Sequence, residues 1–130
     1  MAMRLPYTAL LLLLAACGDG EVSAPAPLTV TGGVAERGRS VLEANRYGCA
    51  VCHVIPGVAG ARGLVGPPLS AMGLRGYIAG RLPNKPENMI HWIAHPRSVD
   101  PQTAMPETGI SEDDARHIAA YLYTLRTVPR

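Results

Sequence analysis

Two cysteines and a histidine form the most informative motif of the chain, Cys49-Ala50-Val51-Cys52-His53. The two-residue gap places both sulfurs on one side of a turn, and this C-x-x-C-H spacing is typical of covalent haem attachment. Each sulfur can form a thioether with one haem vinyl group, while the adjoining imidazole of His53 lies over the iron. The motif therefore predicts one covalently bound haem c, with Cys49 and Cys52 as attachment sites and His53 as a metal ligand.

Two other kinds of site use closely spaced cysteines. A thioredoxin-like dithiol requires a βαβ context, and a structural zinc site requires a second Cys or His pair at ligand spacing. Neither alternative is supported: the cysteines lack a βαβ context, and the third cysteine of the sequence, Cys17, stands alone. The haem interpretation is therefore favoured over both alternatives.

A six-coordinate electron-transfer haem needs a second axial ligand, and the chain offers several candidates downstream of the motif. They are Met72, Met89, Met105, His91, His95 and His117. We predict Met105, because it follows a proline-containing loop and precedes Pro106, so that its backbone is stiff and no helix uses its side chain. A thioether paired with an imidazole favours ferrous iron and raises the reduction potential.

The other candidates have simpler interpretations. Met89 lies on the apolar stripe of a helix predicted between residues 84 and 94. Met72 lies among glycine-rich turns, where local packing accounts for it. The three histidines are interpreted as surface or hydrogen-bonded residues, which leaves ligation by two histidines as the less favoured alternative.

The composition restricts the fold that positions these residues. A chain of 130 residues allows one domain. It contains 14 Gly and 12 Pro, which indicates long loops, and it has one Trp and no Phe, so a large apolar cofactor would have to complete its core. Its net charge of +2 arises from scattered basic residues, which predicts no nucleic-acid partner.

The N-terminal segment is predicted to direct export. Residues 1–16 contain Arg4 and an apolar run that is too short to span a bilayer, as in a secretory signal. They end in Leu14-Ala15-Ala16-Cys17, which resembles a bacterial lipobox and implies a lipoprotein signal peptide with lipidation at Cys17; an ordinary signal peptide is the alternative. Residues 17–33 are predicted to form a flexible tether. We therefore expect a periplasmic domain, residues 34–130, anchored to a membrane by the lipid.

Two further helices are predicted at the ends of this domain. Residues 34–46 form the first, with the small residue Gly38 on its packed side. Residues 111–125 form the last, where Ser111 as N-cap and Asp114 make a pair like a capping box.

Five further stretches, together with the haem motif, resemble class I c-type cytochromes. They are Gly66-Pro67-Pro68-Leu69, Leu82-Pro83-Asn84-Lys85-Pro86-Glu87-Asn88, Trp92-Ile93, Met105-Pro106 and Ala120-Tyr121-Leu122. Their order is especially similar to the cytochrome domain fused to subunit II of caa3-type cytochrome oxidases, here without the copper-binding domain. The resemblance implies an all-α, small cytochrome c fold, with three main helices and long loops wrapped around one haem.

The resemblance also implies roles for individual residues around the haem. The carbonyl of Pro67 accepts the Nδ1 proton of His53, which fixes the ring and leaves Nε2 for iron. Arg75 binds a haem propionate, with a solvated loop arginine as the alternative. Trp92 packs against the haem or its methionine side.

The same resemblance implies that the terminal helices cross closely. Gly38 and Leu42 would pack against Ile118 and Tyr121. A bulky residue at Gly38 should therefore be destructive.

We expect a monomeric electron carrier rather than an enzyme, because two strong axial ligands would occupy the positions where oxygen or peroxide binds. It would carry single electrons in an extracytoplasmic respiratory chain, to a terminal oxidase. One alternative is the electron acceptor of a periplasmic dehydrogenase. The other is a haem peroxidase or gas sensor with an open sixth position.

Overall fold

The computed structural model describes residues 25–128, which form a helical domain with long connections. The helices are α1 (Ala35–Glu43), α2 (Cys49–Cys52), α3 (Pro86–Ala94), α4 (Pro96–Val99) and α5 (Glu112–Thr124). A 3₁₀ helix covers Met72–Leu74, and strands β1 (Tyr77–Ile78) and β2 (Leu82–Pro83) form a short antiparallel hairpin. The predicted all-α fold with three main helices, α1, α3 and α5, is confirmed.

The centre of the fold is α5, which packs against α1, α3 and the 3₁₀ helix. Its buried face includes Ala115, Ile118 and Leu122, which belong to the hydrophobic core. The long connections on either side of α3 leave space beside this core rather than filling it.

The crossing of α1 and α5 depends on Gly38. A methyl group built on Gly38 would overlap the carbonyl group of His117, and it would lie 2.9 Å from the backbone nitrogen of Ile118. The backbones of the two helices therefore approach at a distance that no side chain at Gly38 permits. The predicted close contact between Gly38 and the last helix is confirmed.

The N-terminus of α5 is capped as predicted. The Ser111 hydroxyl oxygen accepts a hydrogen bond from the backbone N–H of Asp114 at 3.1 Å. Acidic residues fill the first turn, where negative charge interacts favourably with the positive end of the helix dipole.

We expect the substitution Ser111→Ala to lower the free energy of unfolding by about 1 kcal/mol, because it leaves a backbone N–H without its capping partner. Denaturant-induced unfolding of the holoprotein measures the loss. Ser40→Ala is the control, since the Ser40 hydroxyl only donates to the Glu36 carbonyl within α1. An equal loss in both variants would contradict the capping role.

Residues that precede the predicted boundary at residue 34 also contact the domain. Val30 is 6 % exposed and belongs to the hydrophobic core. The N–H of Gly33 donates to the Val30 carbonyl at 2.9 Å, and Arg126 donates to the carbonyl of Pro25. The last part of the predicted tether therefore packs on the domain, because burying Val30 removes apolar surface from water.

The predicted signal peptide and Cys17 lie outside the described residues. Over the range that the structure does cover, no helix has the length and hydropathy needed to cross a membrane.

Candidate functional site

A large cleft opens between α2, the 3₁₀ helix, α3 and the loop that precedes α5. It encloses about 1330 Å³ of space, including the part open to solvent. Its lining contains all of the site residues predicted within the domain: Cys49, Cys52, His53, Pro67, Arg75, Trp92 and Met105. The fold thus brings together residues that are far apart in the sequence.

The two cysteines are the first and last residues of the single turn α2. Gly48 enters this turn with a φ of 73°, a left-handed conformation that glycine adopts readily. The side-chain oxygen of Asn45 accepts a hydrogen bond from the Ala50 N–H at 3.2 Å, which holds the start of the turn. Both thiols are half-buried and free, and burial raises the pKa of the Cys49 thiol.

The ring of His53 is oriented by the loop that faces α2. Its Nδ1 lies 2.8 Å from the carbonyl oxygen of Pro67. Because a carbonyl oxygen can only accept, Nδ1 carries the proton and Nε2 keeps its lone pair. The hydrogen bond that the family resemblance implies between these residues is present in the structure.

Gly66 is what allows the loop to approach the ring of His53 so closely. A methyl group built on Gly66 would overlap the imidazole, including a contact of 2.9 Å with Nε2. The Gly66 N–H also donates to the Cys52 carbonyl at 2.7 Å, which attaches the loop to α2. Ring orientation and loop position are therefore set by the same short segment.

Three methionines line the cleft, and they differ in their surroundings. Met72 and Met89 are 5 % and 1 % exposed and belong to the hydrophobic core. Met105 is half-buried in an irregular loop, where its N–H donates to the hydroxyl oxygen of Thr103 at 3.1 Å. Packing therefore accounts for Met72 and Met89, whereas the side chain of Met105 belongs to no helix or core cluster.

The other histidines that were considered as ligands do not line the cleft. Nε2 of His91 lies 2.9 Å from the Ser98 hydroxyl, and His95 is exposed near Glu107. This arrangement leaves His53 as the histidine of the cleft, which disfavours ligation by two histidines.

His117 instead has a structural position between α1 and α5. It is 2 % exposed, and its Nδ1 accepts a hydrogen bond from the backbone N–H of Val34, the residue before α1. Its Nε2 is buried and lies 3.4 Å from the carboxylate of Asp113. The histidine thus satisfies a backbone donor at the start of α1.

Arg75 lines the cleft, and its side chain is hydrogen-bonded to backbone carbonyls of its own loop. Its Nη2 donates to the carbonyl oxygens of Pro68 at 2.6 Å and Ser70 at 2.9 Å. These bonds close the loop that carries Pro67. Within the part of the chain that the structure describes, no hydrogen bond uses Nε or Nη1 of Arg75, so these donors can serve a carboxylate in the cleft.

A buried asparagine, which the sequence analysis did not single out as a site residue, holds one wall of the cleft. The amide nitrogen of Asn84 donates to the carbonyls of Met72 and Arg75, both at 2.8 Å, and its amide oxygen accepts from the Tyr123 hydroxyl at 3.0 Å. Burial, with a smaller contribution from Glu87, raises the pKa of Tyr123, so its hydroxyl stays a neutral donor. This network attaches the 3₁₀ helix to α5.

We expect Asn84→Ala to lower the free energy of unfolding by about 2–3 kcal/mol, because it leaves the Tyr123 hydroxyl and two carbonyls without their buried partner. Denaturant unfolding of the holoprotein measures this. Asn88→Ala is the matched control: Asn88 is half-buried, and among the described residues its side chain makes one hydrogen bond, to the Pro83 carbonyl at 2.9 Å. Equal losses would show that the network does not support this wall.

The chemistry of the lining fits a covalently bound haem. Two free thiols lie at one wall, and an imidazole with an available Nε2 follows them directly. The residues with formally charged side chains in the lining are Arg75 and Asp100, so most of the surface offered to a porphyrin is uncharged. Soft sulfur and nitrogen donors of this kind suit haem iron.

Comparisons with known proteins agree with this geometry. The family model for cytochrome c matches residues 35–126 of the chain. Cytochrome c oxidase subunit 2 of Alkalihalophilus pseudofirmus is 36 % identical over 96 residues. That match covers 73 % of this chain but 27 % of the relative, so the chain spans about a quarter of the relative's length.

Proposed function

Because this chain belongs to the cytochrome c family, and is therefore an electron-transfer cytochrome, we propose that it holds one haem c through Cys49 and Cys52, with His53 and Met105 as iron ligands. The observation that carries this proposal is the hydrogen bond from His53 Nδ1 to the Pro67 carbonyl, which leaves Nε2 available inside the cleft that also holds both thiols. When bound, haem c supplies reversible one-electron chemistry.

The protein's own residues would prepare this chemistry in three ways. The Pro67 carbonyl keeps the proton of His53 on Nδ1 and restrains the rotation of the ring. Aliphatic residues of the cleft wall, such as Leu42, Ile93 and Leu122, keep water away from the ligand atoms. Because a low-polarity environment penalises additional positive charge, this wall favours the reduced state. Arg75 adds donors for a haem propionate.

The optical spectrum of the purified protein, combined with a pyridine haemochrome assay, tests this assignment. We expect a c-type spectrum with one haem per chain that resists acid–acetone extraction. Cys49→Ala and Cys52→Ala should each lower the yield of covalent haem. A colourless protein, after export in cells with intact cytochrome c maturation, would contradict the proposal.

A terminal oxidase is the proposed electron acceptor in an extracytoplasmic respiratory chain, and similarity to an oxidase subunit supports it. Membranes from cells that lack this protein should consume oxygen faster when the reduced holoprotein is added. Reduction by a periplasmic dehydrogenase, with no donation to the membranes, would instead favour the dehydrogenase alternative. Rapid binding of carbon monoxide by the unmodified protein would favour a peroxidase or gas sensor.

We further propose that Cys17 anchors the domain, as a monomer, to a membrane on the periplasmic side. The sequence around Cys17, which resembles a lipobox, supports this. Cys17→Ser should move the haem protein from the membrane fraction to the soluble fraction of the periplasm. Equal membrane retention of the variant would favour an ordinary signal peptide and another means of attachment.

A further inference from the structure

The geometry points to an apolar docking surface around the mouth of the cleft, which would receive a redox partner through an uncharged, apolar patch of that partner. We call this surface the apolar rim and define it by Val51, Leu64, Val65, Pro67, Ala104 and Pro106. The inference rests on the proposed electron-carrier function and specifies the chemistry of the partner's contact surface.

The first observation is the exposure of large aliphatic side chains beside the attachment motif. Val51 lies between the two cysteines and is 66 % exposed, while Leu64 and Val65 are 89 % and 77 % exposed. Val65 lines the cleft, and Val51 and Leu64 lie next to residues that line it, Cys52 and Val65. Single exposed aliphatic residues are ordinary, but a group of them at the opening of a functional cleft indicates a binding surface.

A second segment that lines the cleft has the same character. Ala104 and Pro106 flank Met105, are exposed, and line the same cleft. Pro67 contributes an exposed ring beside Val65. Segments from three parts of the chain therefore place uncharged side chains around one opening.

The second observation is the distribution of charge. Between Tyr47 and Leu69, the only formally charged side chain is Arg62. Asp100, in the cleft lining, is paired with Arg81 at 3.2 Å. Several other ion pairs lie on or beside α1 and α5: Arg39 bridges Glu36 and Glu43 on α1, while Arg46, which follows α1, and Arg116 face acidic residues of α5. Near the apolar rim the charged side chains are few and of both signs: Arg62 lies two residues before Leu64, and Glu107, which follows Pro106, lies 4.0 Å from His95.

This distribution identifies the chemistry of the partner. A partner that docked through a dense ring of acidic or basic groups would lose hydration of those groups against the apolar rim and gain few opposite charges in return. An apolar patch on the partner would remove aliphatic surface from water on both sides instead. A single acidic group of the partner would be sufficient to match Arg62.

The first experimental arm needs no biological partner. The holoprotein is reduced and then oxidised by hexacyanoferrate(III), an anion, and by tris(phenanthroline)cobalt(III), a cation, at increasing ionic strength. We expect each rate to change by less than about threefold between 10 mM and 300 mM salt, because few charges lie near the mouth. A steep and opposite salt dependence for the two oxidants would overturn the inference by revealing a strongly charged mouth.

The second arm uses membranes from cells that lack this protein. We expect Leu64→Lys and Val65→Lys to lower the rate of oxygen consumption, with limiting amounts of reduced holoprotein, by about tenfold each. Val128→Lys is the matched control, since Val128 is 65 % exposed and lies at the C-terminal end of the described chain, outside the cleft lining. It should change the rate by less than about twofold.

The two arms separate failure of this inference from failure of the proposed oxidase partner. Membranes that accept no electrons from the unmodified protein would contradict the oxidase proposal. The salt dependence of oxidation by the inorganic complexes would still show whether the mouth of the cleft is strongly charged. Equal rates for the Leu64, Val65 and Val128 variants would overturn the docking surface while leaving the oxidase proposal intact. Reduction of each variant by ascorbate and unchanged haem spectra verify that the substitutions leave the haem domain folded.

Discussion

Replacement of Gly38 by alanine should abolish most of the stability of the domain, with a loss of at least about 3 kcal/mol in the free energy of unfolding. The added methyl group would overlap the carbonyl group of His117, which is part of the α5 backbone and cannot rotate away. The helices would have to separate, which would open the packing of Leu42 and Ile118 as well. The loss should appear as a low yield of holoprotein and an earlier unfolding midpoint.

The matched control is Gly76→Ala. Within residues 25–128, apart from its own chain neighbours, Gly76 has no atom within 4 Å of the added methyl group, and its φ lies outside the left-handed region. This substitution should leave the free energy of unfolding within about 0.5 kcal/mol of the unmodified protein. If Gly38→Ala were tolerated as well as Gly76→Ala, the close crossing of α1 and α5 would not be required for stability.

Local sequence signals predicted the elements of the fold well, but the ends of several helices less well. The cap at Ser111 was predictable because its hydroxyl and the Asp114 N–H are neighbours in sequence. The first helix was expected to continue to residue 46, yet α1 ends at Glu43, and Asn45 takes a φ of 46°. That turn redirects the chain into the haem motif, a requirement of tertiary structure that helical periodicity does not contain.

The predicted and observed starts of α3 also differ, for a similar reason. The pattern of apolar residues predicted a helix from residue 84, whereas α3 begins at Pro86. Proline is favoured in the first turn because it lacks the N–H that would have no partner there. Asn84 therefore lies outside the helix, and its buried side chain hydrogen-bonds both the 3₁₀ helix and Tyr123.

The cleft was predictable where the motif is local and unpredictable where the contacts are distant. Cys49, Cys52 and His53 follow from one short stretch of sequence. The position of Asn84 depends on partners on the 3₁₀ helix and α5, and no spacing rule connects them. The buried role of Val30 was also missed, because a glycine- and proline-rich segment has no periodicity that marks its one core residue.

Met105 is the second proposed iron ligand, and its replacement should change the chemistry of the protein most. We expect Met105→Ala to make the reduced protein bind carbon monoxide readily, because nothing else in its loop offers a soft donor to the cleft. The reduction potential should also fall by on the order of 0.1 V, a fraction of the roughly 0.8 V over which axial ligands tune haem. Optical titration with carbon monoxide and potentiometry measure the two effects.

The other methionines of the cleft provide the decisive comparison. Met72→Leu and Met89→Leu keep the apolar volume of residues that are buried in the core, so both variants should remain unreactive towards carbon monoxide. These two substitutions should lower the free energy of unfolding by less than about 1.5 kcal/mol and should leave carbon monoxide binding unchanged. If Met72→Leu or Met89→Leu opened the iron to carbon monoxide while Met105→Ala did not, the axial ligand would come from the core wall. The half-buried loop before α5 would then serve only to close the cleft.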